Sequence, residues 1–298
     1  MIPSEPTSIR SLARPVVRGA ADDRSIGAIL IDSGRLTPED AERILHKQRE
    51  AGLRFGEAAI KLGLLTEQDI QFALARQFDY PYLVAGESNV SAELVSAYQP
   101  FSRQVESLRA LRSQLLLRWF NGDTERRAIS VVSAGRREGR SYLAANLAVV
   151  FSQLGERTLL IDADLRNPRQ HQLFGLANRV GLSQMITGRA GESAIERIPA
   201  LMDLSVITAG SAPPNPQELL SRSSFSQLLA SLSGSFDVVI LDTPAADVGA
   251  DAQTVAVRTR GALLVARENH SYIGDLQDLS DSLHHSTVAV VGVVMNHF

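Results

Sequence analysis

Acidic side chains end two apolar runs of this chain, and their spacing points to phosphate and metal chemistry. Asp162 and Asp164 close the run LLIDAD, ahead of Arg166, and Asp242 closes VVILD, ahead of Thr243. Paired carboxylates at a strand end repel one another unless a cation lies between them, so a magnesium–phosphate group is their natural partner. A third run, AISVVSA, leads into Gly135-Arg136-Arg137-Glu138-Gly139-Arg140-Ser141-Tyr142 and then the helical LAANLAVVFSQL. A strand, a glycine-containing loop and a helix in that order form a phosphate cradle, because loop N–H groups and the helix N-terminus favour anions. Ser141 is placed to ligate magnesium. Arg140 stands where such loops carry lysine. Its guanidinium supplies charge and donors, but it is longer, planar and needs more room. Taken alone, the loop also reads as an ordinary strand-to-helix turn. An acid pair, a further acid and a phosphate loop on three strand ends have no such plain account.

The elements that must hold these residues are legible as well. Apolar runs at 128–134, 158–164, 204–210, 237–242, 261–267 and 288–295 alternate with helical stretches. They are near-continuous in Val, Ile and Leu, which marks strands buried on both faces in a parallel sheet covered by helices. The expected fold class is α/β, a doubly wound, mostly parallel sheet. Ligands in such sheets sit at the carboxyl ends of strands, where these acids and the loop lie.

The segments AGRREGRS (134–141), LLIDADLR (159–166) and VVILDTP (238–244) resemble the three nucleotide motifs of bacterial tyrosine kinases of polysaccharide export. That family is a branch of the P-loop ATPases related to MinD and ParA. AGSAPPNPQELL (209–220) is similar to its Pro-Pro-Asn-Pro segment. Glu106, Arg109 and Arg112 resemble its E-x-x-R-x-x-R helix, which packs subunits into rings, and that spacing puts the three on one helical face. Solvated i,i+3 pairs are the plainer account of those charges. The resemblance implies ATP and Mg²⁺ as cofactors, transfer of the γ-phosphoryl group to tyrosine, and a membrane chain-length determinant as partner. Magnesium would be held through Ser141 and Asp242 with Asp162 in support. Asp164 would orient or deprotonate the tyrosine hydroxyl, and Arg140 would face the phosphates. Family members usually end in a tyrosine cluster, whereas this sequence ends GVVMNHF and holds five tyrosines: Tyr80, Tyr82, Tyr98, Tyr142 and Tyr272. Transfer to another chain, slow ATP hydrolysis and a nucleotide-gated scaffold therefore stand beside autophosphorylation. A MinD/ParA-like positioning ATPase is a further alternative, although the second lysine such loops carry is absent.

The N-terminal part holds a repeat. Residues 25–48 and 54–77, offset by 29, are identical at Gly27/Gly56, Ile31/Ile60, Gly34/Gly63, Leu36/Leu65, Thr37/Thr66, Asp40/Asp69, Leu45/Leu74 and Gln48/Gln77. Each unit pairs a short apolar segment ending at glycine with a Thr-x-x-Asp helix start, a variant capping box. Pro38 fits the first helical position. A helical docking module satisfies this pattern. The duplicated motif also resembles the MshEN domain of secretion and pilus ATPases, some of which bind cyclic di-GMP. By that resemblance Arg54, Gly56, Gly63 and Gln77 would form one half-site, and Arg24, Gly27, Gly34 and Gln48 the other. The first unit departs from the family pattern at Ser25, Arg35 and Ala41. With this domain, the combination is similar to EpsG-type kinases. The expected layout is a flexible segment 1–23, the repeat domain 24–83, a linker 84–100 and the kinase-like domain 101–298.

Composition excludes several classes. Lys+Arg is 30 against Asp+Glu 33, a net charge of −3, so no basic excess suits a nucleic-acid polymer or an anionic membrane. Cysteine is absent, which removes disulfides, thiolate nucleophiles and Cys-ligated zinc. No run approaches the ~18 apolar residues of a membrane span, and the first residues lack a secretory apolar core. The expectation is a cytoplasmic protein, held at the inner face of the membrane only through a partner.

Overall fold

The computed structural model describes residues 25–78, 82–84, 86, 88–122, 126–201 and 203–298. The segment 1–23 and Arg24 lie outside the described residues. The chain divides into two units, one spanning 15–82 and the other containing 83–298.

The smaller unit is the repeat, built as α1 (Ile26–Asp32), α2 (Pro38–Ala51), α3 (Phe55–Lys61) and α4 (Glu67–Gln77). Thr37 and Thr66 cap α2 and α4, their side chains accepting from the N–H of Asp40 and Asp69. Asp69 completes a reciprocal box by accepting from the Thr66 N–H at 2.9 Å. Packing is crossed, α1 against α4 and α2 against α3, so each repeat buries the other's apolar face. The glycines have local reasons. Gly34 and Gly63 take φ of +69° and +67°, which side chains disfavour. Gly27 faces the Phe55 ring and Gly56 faces Ile70, so helices approach closely there.

The larger unit is a three-layer α/β domain. Its seven strands are β1 (Ala128–Val132), β2 (Thr158–Asp162), β3 (Glu196–Arg197), β4 (Leu204–Ile207), β5 (Val238–Asp242), β6 (Gly261–Arg267) and β7 (Ala289–Asn296). Their order is β3-β4-β2-β5-β1-β6-β7, and every pairing is parallel except β3 with β4. The six apolar runs are thus the six parallel strands. The helices are α5 (Val95–Tyr98), α6 (Arg103–Arg118), α7 (Arg140–Leu154), α8 (Gln170–Leu173), α9 (Leu182–Ile186), α10 (Pro216–Ser221), α11 (Ser223–Ser235), α12 (Asp251–Thr259) and α13 (Ile273–His285). Successive residues of the central strands serve opposite cores. Ile129, Leu160 and Ile240 meet α5–α7, whereas Leu159, Ile161, Val239 and Leu241 meet α9–α12. This two-sided burial is why the strands read as continuous apolar runs.

The stretch 88–100 is not a free linker. It holds a single helical turn, α5, and Leu94, Ser96 and Ala97 are fully buried. The Ser96 N–H donates to the Asn146 side chain at 3.0 Å, and Gln153 donates to the Ser96 carbonyl at 2.8 Å. Polar groups on α7 thus fasten this segment to the domain.

Candidate functional site

Three adjacent strands carry the chemistry to one edge of the sheet. Asp162 ends β2, Asp242 ends β5, and the two are register partners. Asp242 also pairs with Val131 of β1, which feeds the loop Ser133–Gly139 and then α7. The expected acid pair, single acid and phosphate loop therefore converge.

Each acid has a distinct setting. Asp162 is fully buried, and its Oδ2 accepts from the N–H groups of Arg169 and Gln170, both at 2.9 Å. Its Oδ1 accepts from the Asp164 N–H at 3.2 Å. It thereby shapes the whole turn that follows β2. Burial raises its carboxyl well above the ordinary carboxylate value, and Asp242 beside it adds to the rise. Asp164 uses Oδ1 for the N–H groups of Arg166 and Asn167, at 3.1 and 2.8 Å. Asp242 accepts at Oδ2 from Gln170 Nε2 at 2.7 Å, while its buried Oδ1 has no hydrogen-bond partner. Burial pushes the Asp242 carboxyl up to about 6, against the nearby Ser141 hydroxyl, the Gln170 hydrogen bond and the charge of Arg140. Arg166 is drawn away from the acids into a two-point pair with buried Asp251, at 3.2 and 3.1 Å.

These residues fit a magnesium ion carried by a polyphosphate. Among the described residues no three His, Cys, Asp or Glu side chains gather as a self-sufficient metal site. Magnesium does not need one, since one or two carboxylates and substrate phosphates commonly suffice. A buried carboxylate oxygen without a partner, next to the first-turn hydroxyl of Ser141, is the matching donor set.

The phosphate loop is held from several sides. Gly139 takes φ +95°, and a Cβ there would meet Asn296 Nδ2 at 2.3 Å. Asn296 donates to the Glu138 carbonyl at 2.8 Å. Buried Glu138 accepts from the Gly135 N–H at 3.1 Å and from the Ser271 hydroxyl. Arg136 and Arg137 are exposed, Arg137 at φ +60°. Tyr142 is half-buried, and Gln104 donates to its hydroxyl at 2.8 Å.

Arg140 departs from the expectation that it faces phosphate. It is 9% exposed and turned inward. Its Nε donates to the Thr243 carbonyl at 2.9 Å, and its Nη1 donates to the Gly135 carbonyl at 2.7 Å and to Ser133 Oγ. The fork geometry that makes arginine a good phosphate ligand here clasps the carbonyls of its own loop and of β5. Gln170 escaped the sequence reading. It is fully buried, and besides Asp242 it donates to the Ser141 carbonyl at 3.1 Å, linking two expected metal ligands. Its only signal was a place just after the acid-pair motif.

On α6, Glu106 pairs with Arg109 on the same helix, and Arg112 donates to the Val150 carbonyl of α7 at 2.7 Å. The expected face exists, with Arg112 engaged in its own domain. In the repeat unit, Arg54 is exposed, Gly34 and Gly63 lie in exposed turns, and Gln48 and Gln77 are half-buried. Arg35, at a departure from the family pattern, pairs with Asp69 at 2.7 Å and stacks on the Phe72 ring at 4.2 Å.

Comparison with known proteins agrees with the geometry. No family model matches the chain. It is 32% identical over 209 residues to tyrosine-protein kinase YwqD of Bacillus subtilis (strain 168), covering 70% of this chain and 87% of that protein. The kinase domain of the Escherichia coli tyrosine kinase ETK superposes with a TM-score of 0.65 at 32% identity, covering 68% of this chain and 79% of that one. MinD from Pyrococcus horikoshii OT3 shares the fold, with a TM-score of 0.51 at 23% identity over 57% of this chain and 70% of that one.

Proposed function

The chain belongs to the bacterial tyrosine-protein kinases, and on that premise we propose that it transfers the ATP γ-phosphoryl group to tyrosine in exopolysaccharide synthesis. The observation that carries the reading is the convergence of Asp162, Asp164, Asp242 and the Ser133–Ser141 loop on one sheet edge. The acceptor phenol oxygen forms a bond to the γ-phosphorus, the bond to the β,γ-bridging oxygen breaks, and ADP leaves. Ser141 and Asp242 would hold magnesium, with Asp162 in support. When bound, that ion neutralises charge on the phosphates. The free Oδ2 of Asp164 orients the phenol and receives its proton. Asp162 sets the turn bearing Asp164, and Gln170 fixes Asp242. The N–H groups of the loop and of the first turn of α7 receive phosphate oxygens.

Catalysis of this kind is positioning plus charge neutralisation, so the test is removal of single carboxylates. Asp164→Asn is expected to abolish transfer to a glutamate–tyrosine copolymer while nucleotide binding persists. Undiminished transfer would remove Asp164 from its role.

A second reading rests on Arg140. Its clasp on the Thr243 and Gly135 carbonyls favours a weakly catalytic, nucleotide-gated scaffold, in which ATP opens the clasp and alters assembly. In either reading the α6 face of Glu106, Arg109 and Arg112 packs copies together, and a membrane chain-length determinant holds the assembly at the membrane. Among the described residues no helix is long and apolar enough to cross a membrane. Cyclic di-GMP on the repeat unit, through exposed Arg54, completes the regulatory reading. The same glycines have local reasons in the fold, positive φ at Gly34 and Gly63 and close helix approach at Gly27 and Gly56, which a docking module without the ligand shares.

A further inference from the structure

A kinase acceptor needs a phenol in solvent, free of hydrogen bonds, on a segment that can enter a cleft. Tyr98 fails this, since its hydroxyl donates to the Val90 carbonyl at 2.5 Å. Tyr142 is half-buried and bonded to Gln104, and Tyr82 is half-buried with a partner. Tyr80 lies outside the described residues. Tyr272 is 76% exposed. It precedes Ile273, itself 73% exposed, and Gly274, where a Cβ would meet nothing. An exposed aromatic, an exposed aliphatic and an unencumbered glycine make a segment that another surface can take hold of.

Its position is as telling as its exposure. Tyr272 caps the N-terminus of α13 in an extended conformation, just past the carboxyl end of β6. The turn before it is bound to the phosphate loop. Ser271 donates to Glu138, the His270 ring lies 3.2 Å from the Arg136 carbonyl, and Arg267 donates to the Arg137 carbonyl at 3.4 Å. Arg136 and Arg137 on the phosphate loop and Arg267 at the end of β6, which also donates to the Phe298 carbonyl at 2.9 Å, thus stand around this junction. A phosphotyrosine adds about −1.5 to −2 charge and three acceptor oxygens, a group for which arginine forks are suited.

We propose that Tyr272 is a phosphoacceptor of this kinase, a modification site built onto the rim of the phosphate loop. The proposal rests on the kinase reading above. The Tyr272 Oη forms a bond to the γ-phosphorus of ATP, the bond to the β,γ-bridging oxygen breaks, ADP departs, and the phenol proton passes to a carboxylate of the site. The product dianion lies beside the Arg-bearing loop, so modification feeds back on the nucleotide site.

The test incubates the full chain with magnesium and ATP, maps modified peptides by mass spectrometry, and runs the glutamate–tyrosine copolymer in parallel. The expected result is phosphate on Tyr272, with self-labelling of Tyr272→Phe falling toward background and copolymer labelling retained. Mapping on the unsubstituted chain is independent of how the variant folds. Copolymer labelling with an unmodified Tyr272, or undiminished self-labelling of the variant, overturns this inference and leaves the kinase reading standing. Label on neither the chain nor the copolymer overturns both.

Discussion

Replacing Arg140 separates a structural clasp from a phosphate ligand. Its guanidinium is buried and donates to the Thr243 and Gly135 carbonyls and to Ser133. Gly135 keeps a second donor, Ser133 Oγ at 2.7 Å, so truncation chiefly strands the buried Thr243 carbonyl. A buried polar group left unpaired costs about 1–3 kcal/mol, and bonds from a charged donor add to that. Arg140→Ala is therefore expected to destabilise the larger unit by about 2–4 kcal/mol. For a domain of this size, each 1 kcal/mol shifts Tm by roughly 2–4 °C, so the drop is on the order of 5–15 °C. Arg140→Lys retains one contact and loses the fork. Phosphate then competes with fewer internal bonds, and a gain of about 1–2 kcal/mol corresponds to roughly 5–30-fold tighter ATP binding. The assays are thermal melting without nucleotide and ATP titration by calorimetry. An alanine variant that melts with the unsubstituted chain, or a lysine variant that binds ATP no more tightly, would refute the clasp.

Three further outcomes are expected. Asp242 titrates at about 6 in the folded chain and at the ordinary carboxylate value when unfolded. Between about pH 4 and pH 6 the unfolded form has released a proton that the folded form keeps, so metal-free stability falls as pH rises through that window. Asp242→Asn should lessen that slope, to which the raised carboxyl of Asp162 also contributes, by about 1–2 kcal/mol between chelator-treated melts at about pH 5 and pH 8; an unchanged slope would contradict the assignment. On α6, Arg109→Glu sets a second acid beside Glu106 and should lower the oligomer mass by light scattering, whereas an unaltered mass removes this face from assembly. Arg54→Ala should abolish cyclic di-GMP binding without changing the helical circular dichroism, and unchanged affinity would exclude that half-site.

The sheet was legible because its strands are buried on both faces, which leaves uninterrupted apolar runs. Strand β3 was not, because both its residues, Glu196 and Arg197, are exposed and it pairs only at the sheet edge. The segment 84–100 read as a linker from its Gly, Ser and Pro content. Its anchors, Asn146 and Gln153, lie about fifty residues away on α7, beyond any local pattern. The site's strand ends were readable from the acids and glycines alone. The direction of the Arg140 side chain was not, since it depends on a carbonyl that the fold delivers from β5. Gln170 carries no motif, and its role exists only once β2 and β5 are neighbours. Thr37 and Thr66 cap helices as their spacing implies, because a cap is decided within one turn.

The most direct measurement is phosphoamino-acid analysis after incubating the purified chain with γ-labelled ATP, magnesium and the glutamate–tyrosine copolymer, alongside Asp164→Asn. Phosphotyrosine from the unsubstituted chain and none from the variant is the result that a kinase built on this sheet edge predicts. Measurable ATP binding with no phosphotyrosine in any lane would contradict it and leave the nucleotide-gated scaffold as the account of the molecule.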